Sequence, residues 1–301
     1  MDIANLNQNI LIYVNGELLP RSEAVISVYD SGFLMGDGVW EGIRLIQDKW
    51  IFLDEHIDRL FEGARAIDLE LGLSAEQITN AILETQHANN MSDQAHARVM
   101  FTRGVKVKPF QQPALSTSGP TFVIIMEHSD PHAKAQGITM ATVPQIRGMP
   151  MSQDPKLNSH SKLNCILACI QANKMGADEA LMLDPHGFVN TTNSCNFFIV
   201  KNGEVWTSTG DYCMNGITRK KIIMLCKDNN IPVFEKNFSL VDVYSADEVF
   251  VTGTLGSLVP VLELDKRSFD AKNNKLTQTL QSLYNDLIHA QEHYEYSYVV
   301  W

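Results

Sequence analysis

The chain has 301 residues, of which 45% are hydrophobic and 20% charged, and its formal net charge at pH 7 is −11. This composition is typical of a globular protein, and the charge argues against a nucleic-acid partner, because binding to a phosphate backbone depends on clustered lysine and arginine. No apolar run reaches the roughly 18 residues of a membrane span and the first residues lack the basic and apolar regions of a signal peptide, so we expect a cytoplasmic protein that binds no membrane.

The N-terminal part of the chain predicts alternating strands and helices. The pair Asn15-Gly16 is typical of a tight hairpin turn between two strands. Asp54 is predicted to cap one helix, and Ser74 forms a capping-box pattern with Gln77 at the start of another. The predicted elements are a strand at 10–14, helices reaching 69 and beginning after 74, and strands at 97–102 and 121–126.

A polar segment at 129–137 carries proline and glycine, which predicts a linker between two domains. It would separate a small N-terminal domain, 1–128, from a larger C-terminal domain, 138–301. Strands and helices are mixed throughout, so the expected fold class is mixed α/β. The predicted elements beyond the linker are strands at 138–143 and 179–183, a hairpin at 199–206, and helices at 161–174, 217–229 and 276–291.

The most informative stretch is Met214-Asn215-Gly216-Ile217-Thr218-Arg219, which opens the amphipathic run at 217–229. We expect Gly216 to let the backbone turn, so that the first N–H groups of the helix point outward and hold a phosphate. On its own this pattern is also that of an ordinary helix start with a threonine cap. Its neighbours along the chain decide between the two interpretations.

Several stretches together resemble the class IV (fold type IV) aminotransferases, the family of branched-chain and D-amino-acid aminotransferases and aminodeoxychorismate lyase. The resemblance runs from about Tyr13 to Asp265 and points most to the branched-chain enzymes. It implies a two-domain homodimer that moves an amino group between an amino acid and a 2-oxo acid with pyridoxal 5′-phosphate. The stretches are Gly36-Asp37-Gly38-Val39-Trp40-Glu41-Gly42-Ile43-Arg44, His56-Ile57-Asp58-Arg59-Leu60, Asn193-Ser194-Cys195-Asn196-Phe197-Phe198, Gly216-Ile217-Thr218-Arg219 and Val251-Thr252-Gly253-Thr254.

The resemblance also implies the residues of the site. Arg59 would offer a bidentate guanidinium to the cofactor phosphate, although taken alone it would be a surface partner of Asp58 or Glu62. Arg98 matches an arginine on the substrate side, although an arginine in a strand of apolar residues otherwise faces solvent. Separately from the resemblance, Trp40, Phe33 and Tyr29 would either form an apolar wall near the substrate or pack in the core. The implied cofactor-binding positions are Arg59, Thr191, Asn196, Gly216, Ile217, Thr218, Gly253 and Thr254.

Two positions depart from the family pattern. Thr191 stands where the family has a glutamate facing the ring nitrogen, and a hydroxyl shares only a neutral hydrogen bond there. Asn158 stands where the Schiff-base lysine is expected, with Lys156 before it and Lys162 one helical turn after it. We take Lys162 as the attaching lysine and Lys156 as its rival, because a side chain at a helix start swings back toward the N-terminal end. The competing interpretation makes both of them solvated lysines.

These departures leave two other functions open. A lyase or hydrolase would keep the phosphate site without a lysine and use Cys195, Thr191 or His160, and a catalytically silent protein would bind a phosphorylated ligand. The dinucleotide fingerprint and the Gly-Lys-Ser/Thr phosphate loop are absent from the sequence. His128 and His132 flank a proline and lack a third ligand, so no metal site is expected. The five cysteines show no metal-ligand spacing and favour free thiols.

Overall fold

The structure is a computed structural model and describes residues 3–129, 136–270 and 273–294. Within these ranges the chain forms two compact units, which are described separately. Unit 1 contains 3–129, 158–161 and 291–294, and unit 2 contains 136–157 and the described residues of 162–290. The predicted linker at 129–137 lies mostly outside the described residues, and the predicted domain boundaries stay a prediction.

Unit 1 is built on a six-stranded antiparallel sheet in the order β2-β1-β6-β5-β3-β4. Helix α3 packs on β3, and α4 packs on β1 and β6. The strands are β1 (Leu11–Val14), β2 (Glu17–Pro20), β3 (Gly38–Ile46), β4 (Lys49–Trp50), β5 (Ala95–Thr102) and β6 (Thr121–His128), and the helices are α1 (Ile3–Leu6), α2 (Ser31–Met35), α3 (Leu53–Ala66) and α4 (Ala75–Ala88).

Alternation along β5 separates a buried face of this sheet from an open one. Ala97 and Val99 are fully buried, whereas Arg98 between them is exposed. Val99 pairs with Glu41 of β3, and Glu41 hydrogen-bonds to side chains of α3. The buried face therefore lies under α3, and Arg98 belongs to the open face.

The local turn and cap signals of unit 1 are confirmed, with one exception. Asn15 and Gly16 have φ angles of 51° and 100°, as a type I′ hairpin turn requires, and Ser74 and Gln77 form the capping box. The predicted cap at Asp54 is wrong. The helix begins at Leu53, directly after Phe52, whose backbone conformation is left-handed. Asp54 lies in the first turn, where its negative charge interacts favourably with the helix dipole.

Unit 2 is built on a nine-stranded mixed sheet in the order β12-β11-β10-β13-β14-β7-β8-β9, with β15 on β14. Because β9 pairs with both β8 and β10, six of the strands close into a ring. The strands are β7 (Ile138–Thr142), β8 (Glu179–Leu183), β9 (Val189–Thr192), β10 (Asn196–Lys201), β11 (Glu204–Thr207), β12 (Val233–Glu235), β13 (Glu248–Gly253), β14 (Ser257–Leu264) and β15 (Arg267–Ser268).

The helices of unit 2 are α5 (Pro150–Gln153), α6 (Leu163–Lys174), α7 (Ile217–Asp228), α8 (Leu240–Tyr244) and α9 (Lys275–His289). One cluster of the core joins alternate residues of the ring strands, such as Phe197, Ile199 and Val251, to Val243 of α8. The expected mixed α/β class is confirmed, and the predicted helices and hairpin lie where expected. None of the helices in the described ranges is long and apolar enough to cross a bilayer.

Candidate functional site

Three polar side chains form a row across the sheet of unit 2. Thr191 of β9 pairs with Asn196 of β10, and Asn196 pairs with Thr252 of β13, so the three point to the same face. All three are buried. Thr191 Oγ1 donates to the Cys195 carbonyl at 2.7 Å, whereas Thr252 Oγ1 has no partner within the described part of the chain. A buried hydroxyl without a partner is a free hydrogen-bonding group for a ligand.

The start of α7 lies against this row. The Asn196 side-chain amide donates to the Met214 carbonyl at 2.9 Å, and a Cβ on Gly216 would collide with Asn196 Oδ1. The φ angle of Gly216 is −59°, which any residue adopts. The prediction that this glycine serves the turn is therefore wrong, since it is the close approach to Asn196 that excludes a side chain. Gly216 leaves the positive end of the 12-residue helix α7 without a side-chain cap, as an anion site requires.

Arg219 of the same motif holds the preceding loop. Its Nη2 donates to the Ser208 carbonyl at 2.7 Å and to Glu235 at 2.8 Å, and the residue is buried. This arginine is therefore a structural member of the motif. Thr218, in the first turn of α7, is buried with its hydroxyl 3.3 Å from that of Tyr284 in α9.

The second predicted phosphate turn joins β13 to β14. It follows Thr252 directly, because Gly253 pairs with Ser257 and residues 254–256 form the turn. A Cβ on Gly253 would lie 3.0 Å from Cys195 Sγ, and Thr254 is half-buried. Unit 2 thus places the row, the start of α7 and this turn together. Thr252 was missed as a ligand candidate, since only the strand pairing shows that it shares a face with Asn196.

In unit 1, Arg59 pairs with Glu41 of β3, so the interpretation that pairs it with Asp58 or Glu62 is wrong. Nε donates to Glu41 Oε1 and Nη2 to Oε2, each at 2.7 Å. The bidentate edge that was predicted for the phosphate is therefore occupied within the unit. The remaining nitrogen, Nη1, is buried and has no partner in the described ranges. Arg59 keeps one unpartnered nitrogen that can donate to an anion.

Glu41 is completely buried and also accepts from His56, whose Nδ1 lies 2.7 Å from Oε2. Burial raises the pKa of Glu41, but the hydrogen bonds from Arg59 and His56 outweigh burial, so its pKa lies below the ordinary value. The carboxylate is therefore ionised at neutral pH, and His56 Nδ1 is the donor. Sequence reasoning missed both residues, although both stand inside the quoted motifs.

The position expected for the lysine belongs to unit 1. Asn158 Nδ2 donates to the Trp40 carbonyl at 2.6 Å, and the Asn158 carbonyl accepts from the Trp40 N–H at 3.1 Å. The Trp40 indole N–H donates to the Ser159 carbonyl at 3.0 Å. These bonds attach residues 158–159 to the edge of β3. The Asn158 side chain is buried and structural, and it carries no amine.

The two candidate lysines lie in unit 2. Lys162 is the N-cap residue of α6 and is half-buried. Lys156 is exposed and follows a turn in which its N–H donates to Asp154 Oδ1 at 2.9 Å. The Asp154 side chain thus closes a local turn before Lys156.

The predicted substrate residues of unit 1 are brought together in part. Arg98 stacks on Trp40, with Cζ 3.9 Å from the ring centroid, and this contact keeps a planar donor group in place. Tyr29 and Phe33 are exposed. They belong to a surface that is described below.

Comparison with known proteins places the same motifs in a wider context. The family model described as amino-transferase class IV matches residues 38–264. The chain is 39% identical to branched-chain-amino-acid aminotransferase-like protein 1 of Arabidopsis thaliana over 93% of its own length and 51% of that relative. It is 32% identical to the branched-chain-amino-acid aminotransferase of Pseudomonas aeruginosa over 92% of both chains.

The fold is also similar to a solved structure, an aminotransferase from Brucella abortus bound to the cofactor PLP. The TM-score is 0.83 at 26% identity, and the alignment covers 94% of this chain and 100% of the other. The chain spans about half the length of the Arabidopsis relative and nearly all of the other two.

Proposed function

Because the chain belongs to the class IV aminotransferases, we propose that it binds pyridoxal 5′-phosphate and transfers an amino group between an amino acid and a 2-oxo acid. The family predicted from the motifs is confirmed by the match over residues 38–264. The branched-chain enzymes among its relatives support a branched-chain amino acid as the substrate. The observation that carries the proposal is the uncapped start of α7 lying against Asn196, beside the unpartnered hydroxyl of Thr252.

The described residues fit the phosphate group of this cofactor. In unit 2 the start of α7 and Thr252 supply donors, with Thr254 in the adjoining turn, and in unit 1 Arg59 Nη1 is a buried cationic donor without a partner. The remaining positions depart from the family pattern, because Asn158 has no amine and Thr191 no carboxylate. We assign phosphate binding to the start of α7, Thr252, Thr254 and Arg59. We assign the amine to Lys162, with Lys156 as its rival.

When bound, pyridoxal phosphate supplies the electron sink for amino-group chemistry. In this proposal Lys162, at the start of α6, would take the proton from the α-carbon of the amino acid in one half of the reaction and give a proton to the corresponding carbon of the 2-oxo acid in the other half. Arg98, held on Trp40, binds the substrate carboxylate. The Thr191 hydroxyl donates a hydrogen bond to the Cys195 carbonyl. Toward the ring nitrogen of the cofactor it can therefore only accept a hydrogen bond, and a neutral hydroxyl cannot keep that nitrogen charged.

Borohydride labelling tests this function. After incubation with pyridoxal phosphate, reduction and peptide mapping, we expect one label per chain on Lys162, and the label should disappear in Lys162→Met but persist in Lys156→Met. Label on Lys156 would reverse the assignment of the amine. Retention of the cofactor without any label would contradict a covalent site, and failure to bind the cofactor would contradict the proposed function itself.

The lysine-free hypothesis has its own supporting observation, which is that Asn158 is built into the edge of β3. In that case the chain would bind a phosphorylated ligand without covalent attachment, as a silent homologue or as a lyase or hydrolase. The candidate catalytic groups of a lyase or hydrolase are Cys195, His160 and Thr191. Of these, Cys195 is half-buried beside Gly253. The labelling experiment separates these functions from the first.

A homodimer is part of the proposal, and it is supported by exposed apolar side chains in unit 1. Two segments, 25–35 and 105–110, are joined by a hydrogen bond from the Lys106 N–H to the Tyr29 carbonyl at 2.9 Å. An apolar surface of this kind is typical of a protein interface. Its most exposed members are Val25, Val28, Phe33, Val107 and Phe110.

We expect Phe33→Asp to convert the dimer to monomers in sedimentation velocity, because a buried unpaired carboxylate is costly at an apolar contact. Val241→Asp is the matched control, since Val241 is as exposed as Phe33 but lies on α8. A monomeric parent protein, or a Phe33→Asp protein that stays dimeric, would contradict this interface.

The predicted cytoplasmic location is also kept as part of the proposal. All five cysteines are free thiols. Free thiols are typical of a reducing compartment.

A further inference from the structure

Glu41, His56 and Arg59 form a buried cluster in unit 1 that is joined by three side-chain hydrogen bonds to the Glu41 carboxylate. Glu41 Oε1 accepts from Arg59 Nε, and Oε2 accepts from both Arg59 Nη2 and His56 Nδ1, all at 2.7 Å. Glu41 and His56 are almost completely inaccessible, and the Arg59 side chain is 17% exposed. The carboxylate has no free edge left for a ligand.

Arg59 Nη1 is a buried atom of the cluster and has no partner in the described ranges. A guanidinium is planar, so the two bonds to Glu41 fix the direction in which the Nη1 hydrogens point. An unpaired arginine on a helix would instead sample many rotamers and lose entropy on binding. The geometry of the cluster therefore leaves the Nη1 end of the guanidinium unpartnered and pointing in a set direction.

We propose that Glu41 is a positioning residue for anion binding: it holds Arg59 so that the unpartnered Nη1 is presented to the phosphate of the ligand. This inference rests on the proposed function, because it takes the ligand to be a pyridoxal-type phosphate. It assigns Glu41 no contact with the ligand. Glu41 acts through Arg59.

A positioning role of Glu41 and the effect of its charge predict opposite changes in phosphate affinity when Glu41 is removed. Glu41 carries a negative charge near a residue that binds a dianion, so by charge alone its removal should tighten phosphate binding. If Glu41 positions Arg59, its removal should weaken binding in spite of the more favourable charge. The variant Glu41→Asp is sharper still, because it keeps the charge but shortens the side chain, so the carboxylate no longer spans the guanidinium edge and His56 together.

The test is the dissociation constant of pyridoxamine 5′-phosphate, measured by calorimetry on the full chain. Pyridoxamine phosphate has no aldehyde, so the result does not depend on which lysine attaches a cofactor. We expect Glu41→Asp to weaken binding about tenfold, of the order of one lost charge-assisted hydrogen bond, and Glu41→Gln to weaken it as well. Glu62→Asp is the matched control, because Glu62 is an exposed glutamate of α3.

A double-mutant cycle with Arg59→Ala separates positioning from a general loss of structure. Arg59→Ala should weaken binding at least tenfold, Arg65→Ala on the same helix should not, and Glu41→Asp should have no further effect once Arg59 is gone. Binding by Glu41→Asp within twofold of the parent protein would overturn the inference, and so would an equal loss in the Arg59→Ala background. If the parent protein itself fails to bind pyridoxamine phosphate, the proposed function fails instead.

Discussion

The Asn158→Lys variant should carry pyridoxal phosphate covalently at residue 158. Asn158 is predicted to stand at the lysine position of the family, and the bonds of residues 158–159 to Trp40 hold the backbone there independently of the amide side chain. The same bonds would hold the Cα of a lysine at this position in place. After borohydride reduction and peptide mapping we expect the label to move from Lys162 to residue 158. The cofactor should then stay bound through gel filtration.

Asn158→Met is the matched control, because it has similar length and no amine. Both variants lose the hydrogen bond from Asn158 Nδ2 to the Trp40 carbonyl, which should cost about 1 kcal/mol of folding free energy. Their melting curves should therefore shift alike without cofactor, and pyridoxal phosphate should stabilise Asn158→Lys more than Asn158→Met, in which the label stays on Lys162. A label that stays on Lys162 in Asn158→Lys would contradict the register.

Local signals in the sequence predicted the local features of the fold. The turn at Asn15-Gly16 and the capping box of Ser74 depend on residues within a few positions of each other, and both are confirmed. Strand β3 was not predicted, because Glu41 interrupts the buried row formed by Val39 and Ile43 and so hides the alternation. The same buried glutamate accepts the two hydrogen bonds that fix the Arg59 guanidinium.

The contacts of the site depend on pairing between distant strands, which spacing along the chain does not report. Asp58 and Glu62 are the acidic neighbours of Arg59 in sequence, yet its partner is Glu41 on another element. Thr252 stands in a quoted motif, but its unpartnered hydroxyl becomes visible only through its pairing with Asn196. The motif at 214–219 was assigned correctly to a helix start, and the reason for its glycine was found only in three dimensions.

Thr191→Glu should raise the rate of amino transfer without weakening phosphate binding. Thr191 lies in the buried row beside Asn196, and its hydroxyl is already spent on the Cys195 carbonyl. If residue 191 stands at the family's glutamate position, as predicted, a glutamate there would supply an ionised acceptor, and such a group keeps a pyridine nitrogen protonated. A charge-assisted hydrogen bond of about 1.5–3 kcal/mol, if made fully in the transition state, corresponds to a gain of roughly 10- to 100-fold.

The stability of Thr191→Glu offers a second readout, because a buried carboxylate without a partner destabilises a fold. Without cofactor this variant should melt below the parent protein, and pyridoxal phosphate should raise its melting temperature by more than it raises that of the parent. Thr191→Gln is the control, since glutamine has the shape of glutamate without its charge. This variant should gain neither rate nor extra stabilisation by the cofactor. Equal rates for the two variants, with cofactor bound to both, would show that residue 191 does not face the ring nitrogen.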